Sequence, residues 1–547
     1  MATLHPDDAA GRQVRRRSRP STSASRSPST KRHSIVREHL GEELNLPNGE
    51  EINLADVNKN LNAQYAKAEK DSDDEKEKQE ESRKSGVDLQ QLPDKYSYPR
   101  FSKNNRRYRF TDIKFKPTPS ILDKFAHKDS EFFGFYTLLW MVFAFCVMRT
   151  ALLNYTNEGI IFRGQIFAIL SKDLWKVALV DLGMYLCTYI SVFLQLAVKN
   201  GLVDWNSFGW IIQNVHQCLF LFFFLWVSKS NDLPWIGNIF IVLHAFVMLM
   251  KQHSYAFYNG YLWTVEDELS HAKQRLTEDI PEKEKEDIKL DIDFCETELK
   301  VQSRHTPFPT NITFSNYFWY SMFPTLVYEI EFPRTPHIKW RYVLEKAAAV
   351  FGVFFLMIWV AESYLYPPVV AVIQMRDEPF WNKVRIYPIF LSDILLPFVI
   401  EYMLVFYIIW DAILNGIAEL TRFADRDFYG PWWNCTTWEQ FSREWNIPVY
   451  QFLKRHVYHS SISAFQFSKG AATLTTFLLS SLVHELVMFA IFKKFRGYLL
   501  LLQMTQLPLA MLQRTKWIQD RPVFGNAFFW FSLMIGPSLM CSMYLLF

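Results

Sequence analysis

From Phe132 to the C-terminus, the chain is a succession of apolar runs long enough to cross a lipid bilayer, separated by charged connections. A helix needs about 20 such residues to span the hydrocarbon core, where every backbone N–H and C=O must find its partner within the segment. Candidate spans are Phe132–Leu153, Leu174–Val198, Phe208–Val227, Trp235–Met250, Val343–Leu365, Pro388–Ile417, Ala471–Phe492, Gly497–Leu512 and Ala527–Phe547. The fourth and eighth are short for a crossing. The pattern predicts an all-α, polytopic membrane protein with about nine transmembrane helices.

A mean hydropathy near zero conceals this, because the first part of the chain is polar and poor in apolar runs. Residues 1–95, with Arg15-Arg16-Arg17 among serines and the mixed-charge run Lys67 to Lys84, bury too little apolar surface to repay ordering and read as a disordered tail. Residues 96–131 form a pre-membrane segment, and 132–547 the membrane domain. A net charge of +3 on 547 residues gives no general electrostatic case for nucleic-acid binding. The six cysteines show neither metal-ligand spacing nor a secreted disulfide framework. No cleavable signal peptide opens the chain, so the first apolar run is expected to act as an internal anchor, most simply in the endoplasmic reticulum.

Lysines and arginines set the expected orientation. Arg106, Arg107, Arg109, Lys114, Lys116, Lys124 and Lys128 precede the first span, which places the N-terminus in the cytosol. Loops 251–342 and 418–470 then fall on the same side. Lys493, Lys494 and Arg496 disagree, landing on the lumenal side. Within the first loop, Val265 to Arg304 reads as a pair of charged helices. Within the second, Trp445 to Tyr458 reads as an interfacial amphipathic helix with Pro448 near its start.

His484 lies mid-way along the seventh span, one helical turn from Ser480. An ionisable side chain at bilayer depth is costly and usually faces a polar cavity. There a neutral imidazole can accept a proton from a hydroxyl; the alternative is a packed histidine, the reading favoured for His216 and His244. About fifty residues upstream stands Phe428-Tyr429-Gly430-Pro431-Trp432-Trp433-Asn434. Tryptophans such as Trp432 and Trp438 can be plain interface anchors, whereas an amide beside indoles can orient a carbonyl. Arg422, Arg426, Arg443, Lys454, Arg455 and Lys469 surround the block, suiting either coenzyme A phosphates or lipid headgroups. His456 and His459 lack a third ligand at zinc-site spacing, and no G-x-S-x-G turn supports a hydrolase. Covalent acylation of Ser480 or Cys435 has no activating neighbour in the local sequence.

Pro324-Thr325-Leu326-Val327-Tyr328-Glu329 with Phe332-Pro333-Arg334-Thr335 resembles a segment of the sterol and diacylglycerol O-acyltransferases of the membrane-bound O-acyltransferase superfamily. Asn415 to Glu419 and Phe423 to Asn434 resemble that family's F-Y-x-D-W-W-N block, and His484-Glu485 its catalytic histidine and following glutamate. The likeness runs strongly from about 308 to 547. Gln503 to Pro508 and Gly536 to Cys541 bring it nearest the fungal sterol branch. The resemblance implies helices around an intramembrane reaction chamber and transfer of a long acyl chain from acyl-CoA to a sterol 3β-hydroxyl. It implies His484 as base, with Asn434 and Trp433 at the reaction centre. Phe428, Tyr429, Trp432, Lys469, Ser480, Arg426, Arg443, Lys454 and Arg455 are then expected around acyl-CoA, and Glu485, Gln503 and Gln506 around the acceptor. No metal or cofactor is implied; acyl-CoA is a co-substrate, and relatives assemble as homodimers or higher forms. The one departure is Pro431, where the family block carries an acid.

Two rivals stand beside this expectation. A diacylglycerol acyltransferase would use the same residues with a different acceptor pocket. A lipid transporter or scaffold would hold His484 only by packing.

Overall fold

The computed structural model describes residues 113–125, 130–161, 172–231, 233–302 and 305–546; the tail 1–95 and most of the pre-membrane segment lie outside the described residues. Eight helical stretches among them are long and apolar enough to cross a membrane. The principal helices are α1 (Phe133–Glu158), α2 (Leu174–Thr188), α3 (Ile190–Lys199), α4 (Trp210–Ser230), α5 (Trp235–Leu276), α6 (Trp340–Val360), α7 (Phe380–Phe406), α8 (Lys469–Phe492) and α9 (Pro522–Leu546). Eight is close to the nine expected.

The difference sits at Gly497–Leu512. That run forms two short helices, Tyr498–Met504 and Gln506–Gln513, broken near Thr505 with Pro508 close behind. The first of them doubles back along α8, and the second packs on Trp438–Glu444. Its far end reaches the loop 418–470, where Gln513 Oε1 accepts from the Trp438 N–H at 2.8 Å. The hairpin is closed by Glu485, whose buried carboxylate accepts from the N–H groups of Arg496, Gly497 and Leu500 at 3.3, 2.7 and 3.2 Å. These are orphan donors at a helix start, and a carboxylate there satisfies them and matches the helix dipole.

The fourth span is not short but the beginning of a 42-residue helix. At 1.5 Å per residue, α5 is about 63 Å long, roughly twice the hydrocarbon thickness, so its charged second half leaves the bilayer as a continuous rod. It pairs there with Glu282–Val301, fastened by Lys273–Glu296 at 2.7 Å and an Arg275–Glu284 contact. The expected helical pair is therefore present, its first member continuous with a membrane helix.

Prolines shape the centre. A π-helical turn at Ala361–Leu365 precedes Pro367 and Pro368, and α7 contains Pro388 and Pro397. Each proline removes a helical N–H and redirects the helix. Below α7, a second π segment (Tyr407–Ile413) carries Asp411 into a buried polar knot. Lys346 Nζ donates to Asp411 at 2.7 Å and to Asp123 at 3.0 Å; Ser120 and Tyr429 hydroxyls reach Asp411 at 3.0 and 2.9 Å. The knot ties the pre-membrane strap, α6 and the aromatic block together.

Candidate active site

The aromatic block is an interior wall rather than a surface. Phe428, Tyr429 and Trp432 are almost fully buried, in one cluster with Phe406, Trp438 and Phe529. The Trp432 ring meets those of Trp445 and Phe406 at 4.9 and 5.0 Å, and Tyr402 stacks on Trp445 at 5.0 Å. Such pairs contribute about 0.5–1.5 kcal/mol each beyond their buried area. Three of the residues expected around acyl-CoA thus act as the support of a turn.

That turn is a single 3-10 loop, Trp432–Asn434, closed by the Asn434 N–H donating to Pro431 O at 2.9 Å. Trp433 is half-buried. The Asn434 side chain is exposed and, among the described residues, has no hydrogen-bond partner. Its amide is the group of the turn free to meet a ligand. Pro431 is exposed, so the family acid would stand at the surface and its loss leaves the buried wall intact. The adjacent Cys435 is fully buried beside Glu444, and its thiol is pushed up to about 12, burial first and the carboxylate second. A thiol held that way is not a nucleophile near neutrality.

His484 sits on a different wall. Leu474, Leu478 and Leu482 are exposed along one stripe of α8. At about 100° per residue, His484 lies about 160° around the helix from Leu482 but only about 80° from Leu474, on the stripe with Ser480 and Phe477. His484 is an exposed residue of α8. Nδ1 lies 2.7 Å from the Ser480 carbonyl oxygen. A carbonyl only accepts, so Nδ1 carries the proton and, in the neutral ring, Nε2 is left with its lone pair as the acceptor. Ser480 contributes its backbone, a role that spacing alone did not distinguish from its hydroxyl. By contrast His216 bonds Gln252 at 2.9 Å and His244 bonds Asp181, as packing histidines do.

α8 packs against α5 and the π segment Leu453–His459, and no hydrogen bond or ring contact among the described residues joins His484 to Trp433 or Asn434. The two groups stand on separate elements, α8 and the Trp432–Asn434 turn.

The expected basic mouth is corrected in part. Arg455 is fully buried, donating to Glu329 at 2.8 Å and to the Tyr328 carbonyl at 3.1 Å. It clamps the Pro324–Thr335 segment onto the π segment Leu453–His459, and Trp445 to Tyr458 is not an interfacial helix but Ile447–Phe452 followed by that inward π segment. Arg426 is paired internally with Glu419 and lies over the Tyr342 ring. Arg443 is exposed and shares Glu439 with Arg514. Lys454 lies half-buried above Tyr450. Lys469, the first residue of α8, is exposed with no acidic partner among the described residues. Glu485 is likewise corrected: with Tyr544 Oη donating at 2.6 Å, four donors occupy its carboxylate, and it closes a hairpin instead of facing an acceptor. Gln503 keeps a buried amide oxygen without a partner, and Gln506 is half-buried beside it.

The fold is a polytopic helical bundle with an imidazole on one of its membrane-length helices. A family model described as MBOAT, membrane-bound O-acyltransferase family, matches residues 165–546. The chain belongs to the membrane-bound O-acyltransferase family. It is 45% identical to "Sterol O-acyltransferase 2" of Candida albicans over 80% of this chain and 79% of that one. It is 44% identical to "Sterol O-acyltransferase 2" of Saccharomyces cerevisiae over 76% and 67%. Identity to "Diacylglycerol O-acyltransferase 1" of Dictyostelium discoideum is 26%, over 78% and 64%.

Proposed function

We propose that this protein is an acyl-CoA:sterol O-acyltransferase that makes steryl esters in the endoplasmic reticulum membrane, with its N-terminus in the cytosol. The observation that carries the reading is His484: Nδ1 fixed on the Ser480 carbonyl and Nε2 free, at an exposed position of α8 opposite Leu482. The sterol hydroxyl gives its proton to Nε2 as its oxygen attacks the thioester carbon. The C–S bond breaks, the ester stays in the membrane, and the departing thiolate takes the proton back from the imidazolium. Asn434 donates to the carbonyl oxygen as charge gathers there, and Trp433 packs beside it. Lys469 receives a coenzyme A phosphate, and Gln503 and Gln506 border the acceptor. Holding both reactants in one chamber supplies much of the rate by removing their freedom to diffuse apart. The exposed apolar side chains all along α1 suit contact with lipid or with a second copy in the homo-oligomer proposed here.

The preference for a sterol over diacylglycerol rests on the much higher identity to the sterol enzymes. Purified protein or microsomes offered labelled acyl-CoA with sterol and diacylglycerol together should place label in steryl ester by at least about tenfold over triacylglycerol. Equal or greater labelling of triacylglycerol would overturn the acceptor assignment, and acyl-CoA left unconsumed would favour a transporter.

A further inference from the structure

We infer that Asn526 and Trp530 of α9 are positioning residues that aim the Asn434 side chain, an inference that rests on the role proposed above for Asn434. A three-residue 3-10 turn, even with its two internal closures (Asn434 N–H to Pro431 O and Cys435 N–H to Trp432 O), does not hold a side chain to a fraction of an ångström by itself. Here the carbonyls of both residues neighbouring Asn434 are held from outside. Asn526 Nδ2 donates to the Trp433 carbonyl at 3.1 Å and to the Cys435 carbonyl at 2.9 Å. Trp530 Nε1, one helical turn further along α9, donates to the same Trp433 carbonyl at 3.1 Å.

Three hydrogen bonds from one helix therefore bracket a single residue. The helix backbone also touches the turn: a Cβ at Gly525 would stand 3.0 Å from the Thr436 carbonyl oxygen and 3.1 Å from its Cβ. Phe529, fully buried against Trp438 and Phe441, keys α9 into the aromatic wall between the two donors. With the neighbouring carbonyls satisfied from α9, the Asn434 amide is left unpartnered and exposed. Reaction geometry held to about 0.5 Å depends on this kind of support.

Asn526 touches no reacting atom in this scheme, so its effect must pass through Asn434. A double-mutant cycle in the purified enzyme reads that directly. Asn434→Ala should lower kcat by about 100-fold, and Asn526→Ala by about tenfold with KM for acyl-CoA within about twofold. In the Asn434→Ala background, Asn526→Ala should cost no more than about twofold further. Trp530→Phe keeps the ring contact and removes one donor; it should reproduce a smaller kcat loss with unchanged thermal stability. Losses that multiply across the cycle, or a folded Trp530→Phe and Asn526→Ala pair with normal kcat, would overturn the positioning claim. Normal turnover in Asn434→Ala alone would instead remove the role of Asn434 on which it rests.

Discussion

His484→Ala is expected to leave a folded, membrane-inserted protein whose steryl-ester formation is at least about 100-fold below that of the parent. The size follows from what general base catalysis supplies, and the intact fold from where the ring sits. His484 retains accessible surface and makes one hydrogen bond, to the carbonyl of its own helix. Its removal therefore opens no packed core and strands no distant partner. Size-exclusion behaviour and thermal unfolding in detergent should match the parent while turnover collapses. A variant that kept near-normal turnover would take His484 out of the reaction, whatever the fold.

Lys346→Ala should do the reverse, weakening the protein more than the chemistry. Lys346 and Asp411 are both buried, and the ammonium answers two carboxylates at once. Deleting it leaves the Asp411 carboxylate and the nearby Asp123 without a counter-charge, and breaking one side of such a pair costs about 3–5 kcal/mol. Removing both charges together is milder, because a neutral pair of similar volume demands no compensation. The thermal unfolding transition of Lys346→Ala should fall well below that of the double variant Lys346→Met/Asp411→Asn. The same order should appear in yield from membranes. If the single variant were as stable as the double, the knot would be a passive ion pair and would not hold the strap to the aromatic block.

Much of the architecture was legible because bilayer crossing is a local demand. Runs such as Leu174–Val198 and Pro388–Ile417 declare themselves through length and apolarity alone, and Pro448 at the first turn of Ile447–Phe452 follows from its missing N–H. His484 stood out as an ionisable ring within an apolar run, and Asn434 as the amide that ends an aromatic block. What stayed hidden depends on partners far away in sequence. Arg455 looked like one more cation at a basic mouth, and its partner Glu329 lies 126 positions off. Glu485 adjoins the catalytic candidate but turns to a hairpin closed 12 residues later. Nothing in the pattern around Asn526 and Trp530 announces that they hold the carbonyls beside Asn434, 91 to 97 positions upstream. Side-chain periodicity reports which face is buried, not which atom waits there.

The central claim is that one internal passage brings the acyl-CoA thioester between the His484 and Asn434 walls. The direct test is a structure of the enzyme with a non-hydrolysable acyl-CoA analogue. The account predicts the analogue's carbonyl within about 3–3.5 Å of both the Nε2 acceptor and the Asn434 amide, with its phosphates toward Lys469. An analogue bound with its carbonyl on the leucine stripe of α8, or reaching one wall without the other, would contradict it.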